Sequence, residues 1–247
     1  MKRLMRLSLA ITLGLLLTTS SFGATILQDN FEHGTFGIWV KDTENNGTIS
    51  ISTDTASSGQ YSIKFNTTAA DGSLTIGRYE TGSSNYPILY IRLKIYFTST
   101  YLGNMTNEEC SIINSFDEDY LQNLLSARVE DVGGSKTFVV YYNDYGASLS
   151  GALPSSDTWH TYEIYLYRHA TEGNISFWID GVLVDSDTGV DTGDNNPANF
   201  YFGIDSIGGD DIQGTVYMDD IVLDNSRYIG TGWRVQEGLA VGSPYHY

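Results

Sequence analysis

Apolar and polar residues alternate along most of this chain, and that period of two constrains its fold more than anything else it contains. In Ile88–Phe97, Leu89, Ile91, Leu93, Ile95 and Phe97 take one face while Tyr90, Arg92, Lys94 and Tyr96 take the other. In Trp159–Tyr167, His160, Tyr162, Ile164 and Leu166 oppose Trp159, Thr161, Glu163, Tyr165 and Tyr167. A strand turns successive side chains to opposite faces, so such runs read as half-buried strands. The same pattern predicts strands at Thr48–Thr53, Tyr61–Asn66, Ser73–Tyr79, Glu109–Phe116, Leu124–Glu130 and Thr137–Tyr142. It continues at Ile175–Asp180, Val182–Asp185, Phe200–Ser206 and Thr215–Leu223. Asp180-Gly181 is a two-residue hairpin signal. Asn107–Leu125 also admits a helix, but two strands around the acidic turn Asp117-Glu118-Asp119 fit better. No strand–helix alternation supports a parallel sheet. The expectation is one antiparallel β-sandwich, with Gly189–Asn196 as a long internal loop.

The first residues read as an export signal. Lys2, Arg3 and Arg6 precede the apolar stretch Leu7–Leu17, which is too short to span a bilayer comfortably. Ser21 and Gly23 fit the small-residue rule before Ala24. The expected divisions are a signal peptide over 1–23, the sandwich over 24–227 and a Gly-rich, aromatic tail over 228–247. No second apolar run of membrane length follows, so a secreted, periplasmic or cell-surface protein without a membrane span is expected. Thirty acidic residues against 13 basic ones give a net charge of −17, which argues against nucleic acid or an anionic membrane as partner. The charge does not imply disorder, because 41% hydrophobic and 13% aromatic residues suffice for a core. Cys110 is the single cysteine, which leaves no intrachain disulfide and no cysteine-based zinc cluster.

Two sets of residues carry a resemblance. The start, Asp29-Asn30-Phe31-Glu32 through Trp39 with Ala56-Ser57-Ser58-Gly59-Gln60-Tyr61, and the far end, Val216-Tyr217-Met218-Asp219-Asp220, look like secreted carbohydrate-binding β-sandwiches. The middle, Thr158-Trp159-His160-Thr161-Tyr162-Glu163-Ile164 and Gly173 through Gly181, resembles the laminin-G-like, concanavalin A-like lectin and glucanase superfamily. Together they span about residues 29 to 224. The resemblance implies an all-β jelly-roll sandwich, concanavalin A-like, in a group whose members bind glycans and in part cleave them.

The candidate sites follow from residue chemistry. Paired carboxylates at Asp219-Asp220 and Glu32, brought together where first and last strands meet, suit a hard cation that wants six or more oxygens. The resemblance implies calcium there as well, in a structural role. In Thr215–Leu223 strict alternation would turn one of the two aspartates toward the core. The acidic stretch Asp185–Asn196 lacks the glycine and glutamate of an EF-hand register and reads as a solvated loop. Eighteen tyrosines stand out, crowded at Tyr141, Tyr142, Tyr145, Tyr162, Tyr165 and Tyr167. An aromatic plane with amide and acid neighbours matches a sugar ring, which has an apolar face and a hydroxyl rim. Tyr141, Tyr142, Asn143 and Tyr145, with Trp178 from a second strand, are the expected ligand-binding residues.

No catalytic set is evident. The Glu-x-Asp-x-Glu pattern of glucanases on this fold is absent. Acids and bases for a lyase exist singly, as His160, His169, Tyr141, Tyr142, Arg128 and Arg168, without lyase-like strings. The expected function is non-catalytic recognition of an extracellular polysaccharide or glycoconjugate, stabilised by calcium. The alternatives are a polysaccharide lyase or glycosidase on the same fold, and an adhesive surface protein.

Overall fold

The computed structural model describes residues 25–68, 73–79, 86–117, 122–195, 197–207, 212–225 and 241–242. The expected signal peptide and most of the expected tail lie outside the described residues. In chain order the strands are β1 Thr25–Asp29, β2 Val40–Asn45, β3 Gly47–Ser52, β4 Ser62–Thr67, β5 Ser73–Tyr79 and β6 Ile88–Phe97. The short helix α1, Ser99–Asn104, leads to β7 Glu109–Phe116, β8 Asn123–Val132, β9 Ser135–Tyr142 and β10 Ala147–Ala152. Then come β11 Trp159–Tyr167, β12 Gly173–Ile179, β13 Val182–Val190, β14 Asn199–Ile207, β15 Gly214–Asp224 and β16 Val241–Gly242.

All pairings are antiparallel, in two sheets. Sheet A runs β13-β12-β11-β6-β15-β1-β16, with β4 and then β3 added at the other end of β15. Sheet B runs β10-β9-β8-β7-β14-β5-β2. The inner faces meet in one core. Phe138 of sheet B lies 4.5 Å from Tyr162 and 5.3 Å from Phe177 of sheet A, ring centre to ring centre. Aromatic pairs of this kind contribute about 0.5–1.5 kcal/mol beyond their buried area. The sandwich expected from the period of two is the observed fold.

The pattern fails in instructive places. β1 is buried on both faces, so its sequence shows no alternation. β13 continues to Val190, so Asp185–Val190 is edge strand and not the solvated loop expected. Asp185 Oδ2 accepts from Ser150 N at 3.2 Å and Asp187 Oδ2 from the Tyr142 hydroxyl at 2.7 Å, so these acids tie the two sheets together. In β15 the register against β6 slips between Asp219 and Val222, and Asp220 takes a φ of 50°. Val216 and Met218 face the core before this bulge, Ile221 and Leu223 after it. One extra residue changes which parity faces inward. Strict alternation through the pair is therefore corrected: neither Asp219 nor Asp220 enters the core, and both meet the Thr55–Tyr61 loop or its neighbours.

Candidate functional site

The outer face of sheet B gathers polar and aromatic side chains from strands far apart in sequence. In β8, Leu125, Ala127 and Val129 point into the core, so Ser126, Arg128 and Glu130 point out. In β9, Phe138, Val140 and Tyr142 point in, so Tyr141 points out. The Arg128 guanidinium stands 5.0 Å from the ring centre of Tyr141 and 4.6 Å from that of Tyr145. The two rings are 5.7 Å apart. Arg128 Nη1 donates to Glu109 Oε2 at 3.1 Å and Nε to Ser126 Oγ at 3.2 Å, which fixes the fork between the rings. The Tyr141 hydroxyl donates to Glu130 Oε1 at 2.8 Å. Burial, then that bond and charge, push Tyr141 up to about 12, so it is a neutral phenol and a donor at ordinary pH.

A polar relay leads sideways from this cluster. Asn123 Nδ2 donates to the Tyr145 hydroxyl at 2.7 Å and to Asn114 Oδ1 at 3.3 Å. Asn114 lines a cleft of about 160 Å³ with Asp42, Thr75, Phe116, Tyr201 and Asp205. Phe116 and Tyr201 meet edge to face at 5.9 Å and form its aromatic wall. From β9 to β2 this surface crosses six strands, on the order of 24 Å at the usual strand spacing.

The turn that presents Tyr145 is strained. Asn143, Asp144 and Tyr145 have φ of 52°, 53° and 63°. Left-handed backbone costs a residue with a Cβ roughly 1–2 kcal/mol. Asp144 N donates to Asn123 O and Gly146 N to Asn143 O, both at 3.0 Å, so the neighbouring strand holds the turn. Three such residues in a row bring Tyr145 back over Arg128.

The structure divides the residues expected to bind ligand. Tyr141 and Tyr145 stand together, with Asn143 in the turn between strands. Tyr142 does not join them, because its ring is 1% exposed and in the core. Trp178 does not join them either: Phe177 takes the inner face of β12, which puts Trp178 on the outer face of sheet A. Its cross-strand neighbours are Glu163 and Leu183. Of the six lyase candidates only Arg128 and Tyr141 meet. His160 Nδ1 lies 2.6 Å from Asp180 Oδ2 at the β12–β13 turn, and His169 Nδ1 accepts from Glu172 N at 2.9 Å. Sequence reading missed Asn114, Asn123, Asp42, Thr75 and Asp205, because their meeting depends on β14 lying between β7 and β5.

Glu32, Asp219 and Asp220 do converge on one loop. Glu32 accepts from Gln60 N at 2.8 and 2.9 Å and from Tyr61 N at 2.7 Å. Asp219 Oδ2 accepts from Ser57 N and Ser58 N at 2.9 and 3.2 Å, and its Oδ1 from Asp220 N at 2.7 Å. Asp220 accepts from Ser58 Oγ at 3.0 Å and pairs with Lys94 Nζ at 2.8 Å. Burial, then the charge of Asp220, push Asp219 up to about 8. Each of the six carboxylate oxygens thus faces a protein donor, the wrong polarity for a cation cage. Among the described residues no three acids, histidines or cysteines form a metal group. The expected calcium set does not fit as arranged; it is a clamp closed by N–H, O–H and ammonium donors.

Solved structures share this architecture. The endo-β-1,4-glucuronan lyase of the fungus Trichoderma reesei superposes with a TM-score of 0.66 at 13% identity, over 84% of this chain and 98% of that one. This chain is a jelly-roll sandwich. The cellulose-induced protein Cip1 superposes at 0.61 with 20% identity, over 83% of this chain and 99% of that one. The receptor-binding domain of botulinum neurotoxin type G follows at 0.54 and 15%, over 86% of this chain and 49% of that one. No protein-family model matches the chain. No curated protein sequence matches it either. Among the described residues no helix is long and apolar enough to cross a membrane.

Proposed function

We propose that the chain is an exported glycan-recognition domain that binds polysaccharide on the outer face of sheet B without cleaving it. One observation carries the reading: Tyr141, Arg128 and Tyr145 continue through Asn123 and Asn114 into the Phe116–Tyr201 cleft. The surface offers aromatic area for sugar faces and, beside it, amide, carboxylate and hydroxyl groups for the rims. Non-catalytic binding is supported by how the polar groups are held. Tyr141 is kept as a phenol, and Arg128 is partnered by Glu109. The folds it resembles include a protein named for glucuronan lysis and one named for receptor binding, both compatible with a carbohydrate-facing sandwich.

A second reading is elimination at a uronate, with Arg128 neutralising the carboxylate and Tyr145 exchanging the proton; Arg128 between two tyrosines favours it. One experiment separates the two. The protein is titrated with a panel of neutral and uronate polysaccharides while thermal midpoint and product are followed. A specific ligand raises the midpoint by mass action. The binding reading expects such a rise, lost in Tyr145→Ala, with no new reducing end and no unsaturated uronate. Unsaturated product that disappears in Arg128→Ala would establish the lyase instead.

A further inference from the structure

Beside the Tyr145 turn the sandwich encloses a cation that no described residue bonds through its guanidinium. Arg168 follows β11 and is 5% exposed. Its Nε, Nη1 and Nη2 are shielded from solvent, and none has a hydrogen-bond partner among the described residues. A guanidinium carries five N–H donors and no acceptor, and enclosing one without partners is strongly unfavourable. The charges of Asp194, Asp191 and Asp117 act on it through space only.

A strap lies over it. Thr192 is fixed, its N donating to His169 O at 3.1 Å and its Oγ1 to Tyr167 O at 2.9 Å. Gly193 then takes a φ of +76° and rests against the guanidinium. A Cβ on Gly193 would sit 2.5 Å from Arg168 Nη2 and 3.1 Å from Asn143 Oδ1. Beyond it, Asn195 Nδ2 donates to Gln122 Oε1 at 2.7 Å, an exposed bond. The strap therefore turns on a buried threonine and is latched by a surface amide.

Polarity decides what fits once the strap opens. Arg168 only donates, while Asn143 Oδ1 beside it and the carboxylates of Asp191 and Asp194, exposed at the strap's outer rim with Asp191 Oδ1 accepting from Gly193 N at 2.8 Å, only accept. An acidic group would satisfy the arginine but face the carboxylates. A sugar hydroxyl both donates and accepts, so neighbouring hydroxyls satisfy both sides at once. We propose that the Gly193–Asn195 strap opens to seat the neutral end of a glycan chain, whose vicinal hydroxyls accept from Arg168 and donate to Asp191 and Asp194. This rests on the glycan reading above and extends that surface around the Asn143–Tyr145 turn.

The test compares the whole protein with Arg168→Met, by thermal unfolding and by titration with cello-, laminari- and xylo-oligosaccharides and a glucuronate oligosaccharide. A buried apolar chain in place of an unpaired charge leaves the midpoint unchanged or higher. The same variant loses affinity for the neutral ligand by about tenfold or more, the effect of removing hydrogen bonds to a charged group. A lower midpoint with wild-type affinity marks a structural arginine solvated by enclosed water, and overturns the proposal. So does preference for the glucuronate chain over neutral ones. If Arg168→Met fails to fold, Gly193→Ala, which crowds the guanidinium, decides: wild-type affinity overturns the proposal, and a loss supports it. The glycan reading fails in a different way, with no oligosaccharide binding the wild-type protein at all, and the proposal falls with it. Binding that Tyr145→Ala abolishes and Arg168→Met leaves intact removes the strap subsite alone.

Discussion

The sandwich has two outer faces, both rich in aromatic residues, and they are organised in different ways. On sheet A, Trp159, Tyr96 and Tyr217 form a cross-strand row with ring centres 5.6 and 5.7 Å apart. Lys64 lies 5.6 Å over the last ring and pairs with Asp54 at 2.7 Å, and the Tyr217 hydroxyl donates to the same carboxylate. The Trp159 indole N–H donates to Thr55 Oγ1 at 3.0 Å. Trp159 is tilted 60° on Tyr96, Tyr96 meets Tyr217 edge to face, and the polar atoms of Trp159 and Tyr217 are taken by the protein. On sheet B the rings flank an arginine, Tyr145 is 43% exposed, and the polar groups border a cleft. Aromatic content alone does not make a glycan surface. The Tyr141 and Tyr145 hydroxyls are bonded too, to Glu130 and Asn123, so the two faces differ in the exposure of the rings and the cleft beside them.

The harshest way to break this contrast is to remove what both faces share. Phe138→Ala opens a hole between the sheets and is expected to cost about 3–5 kcal/mol in denaturant unfolding, weakening both faces together. The clamp beside sheet A is expected to respond to pH. Asp219 keeps its proton in the fold up to about pH 8 but titrates near 3.8 when unfolded. The stability tied to that proton is full below the unfolded value and is lost as pH rises through the folded one, by up to about 1.4 kcal/mol per pH unit. Urea unfolding at pH 5 and pH 9 checks this, and Asp219→Asn is expected to flatten the difference. Calcium is expected to leave the midpoint unchanged; a calcium-dependent rise would show that Lys94 yields Asp220 to the ion.

Arg128→Ala tests the contrast itself. It is expected to weaken polysaccharide binding by about 1.5–3 kcal/mol, the range for hydrogen bonds to a charged group. Trp159→Phe, on the other face, is expected to leave that affinity alone and lower stability by about 1 kcal/mol through the lost bond to Thr55. Equal losses of affinity from both variants would show that the two faces act alike. The finest probe is Tyr141→Phe, which is expected to remove a phenolate absorbance step near pH 12 from the alkaline titration.

The sequence reveals those strands whose two faces differ. Ile88–Phe97 and Trp159–Tyr167 have the expected limits because each has one face in the core and one outside, while Glu109–Phe116 has them although a bulge puts both Ile112 and Ile113 in the core. β1 escaped because both its faces are covered, and β13 was cut short because its acids bond the opposite sheet. Of the site, Tyr141, Asn143 and Tyr145 were legible as a local cluster. Tyr142 could be placed correctly only with the phase of β9, since adjacent strand residues part company. Arg128, Asn114 and Tyr201 are joined by sheet order, which no local pattern encodes.

The clamp of Glu32, Asp219 and Asp220 lies at one end of the β1–β15 pair, and Thr25 lies opposite Asp224 at the other. The Thr25 hydroxyl donates to Asp224 there at 3.1 Å. The chain therefore enters and leaves this pair side by side. A pull through the residues flanking Thr25 and Asp224 would not shear the two strands past each other. It would peel them apart from that end, one hydrogen bond at a time, until the load reached the carboxylates at the far end. The clamp is thus a stop in a zipper: there the peeling front meets bonds to the Thr55–Tyr61 loop in place of single strand-to-strand bonds.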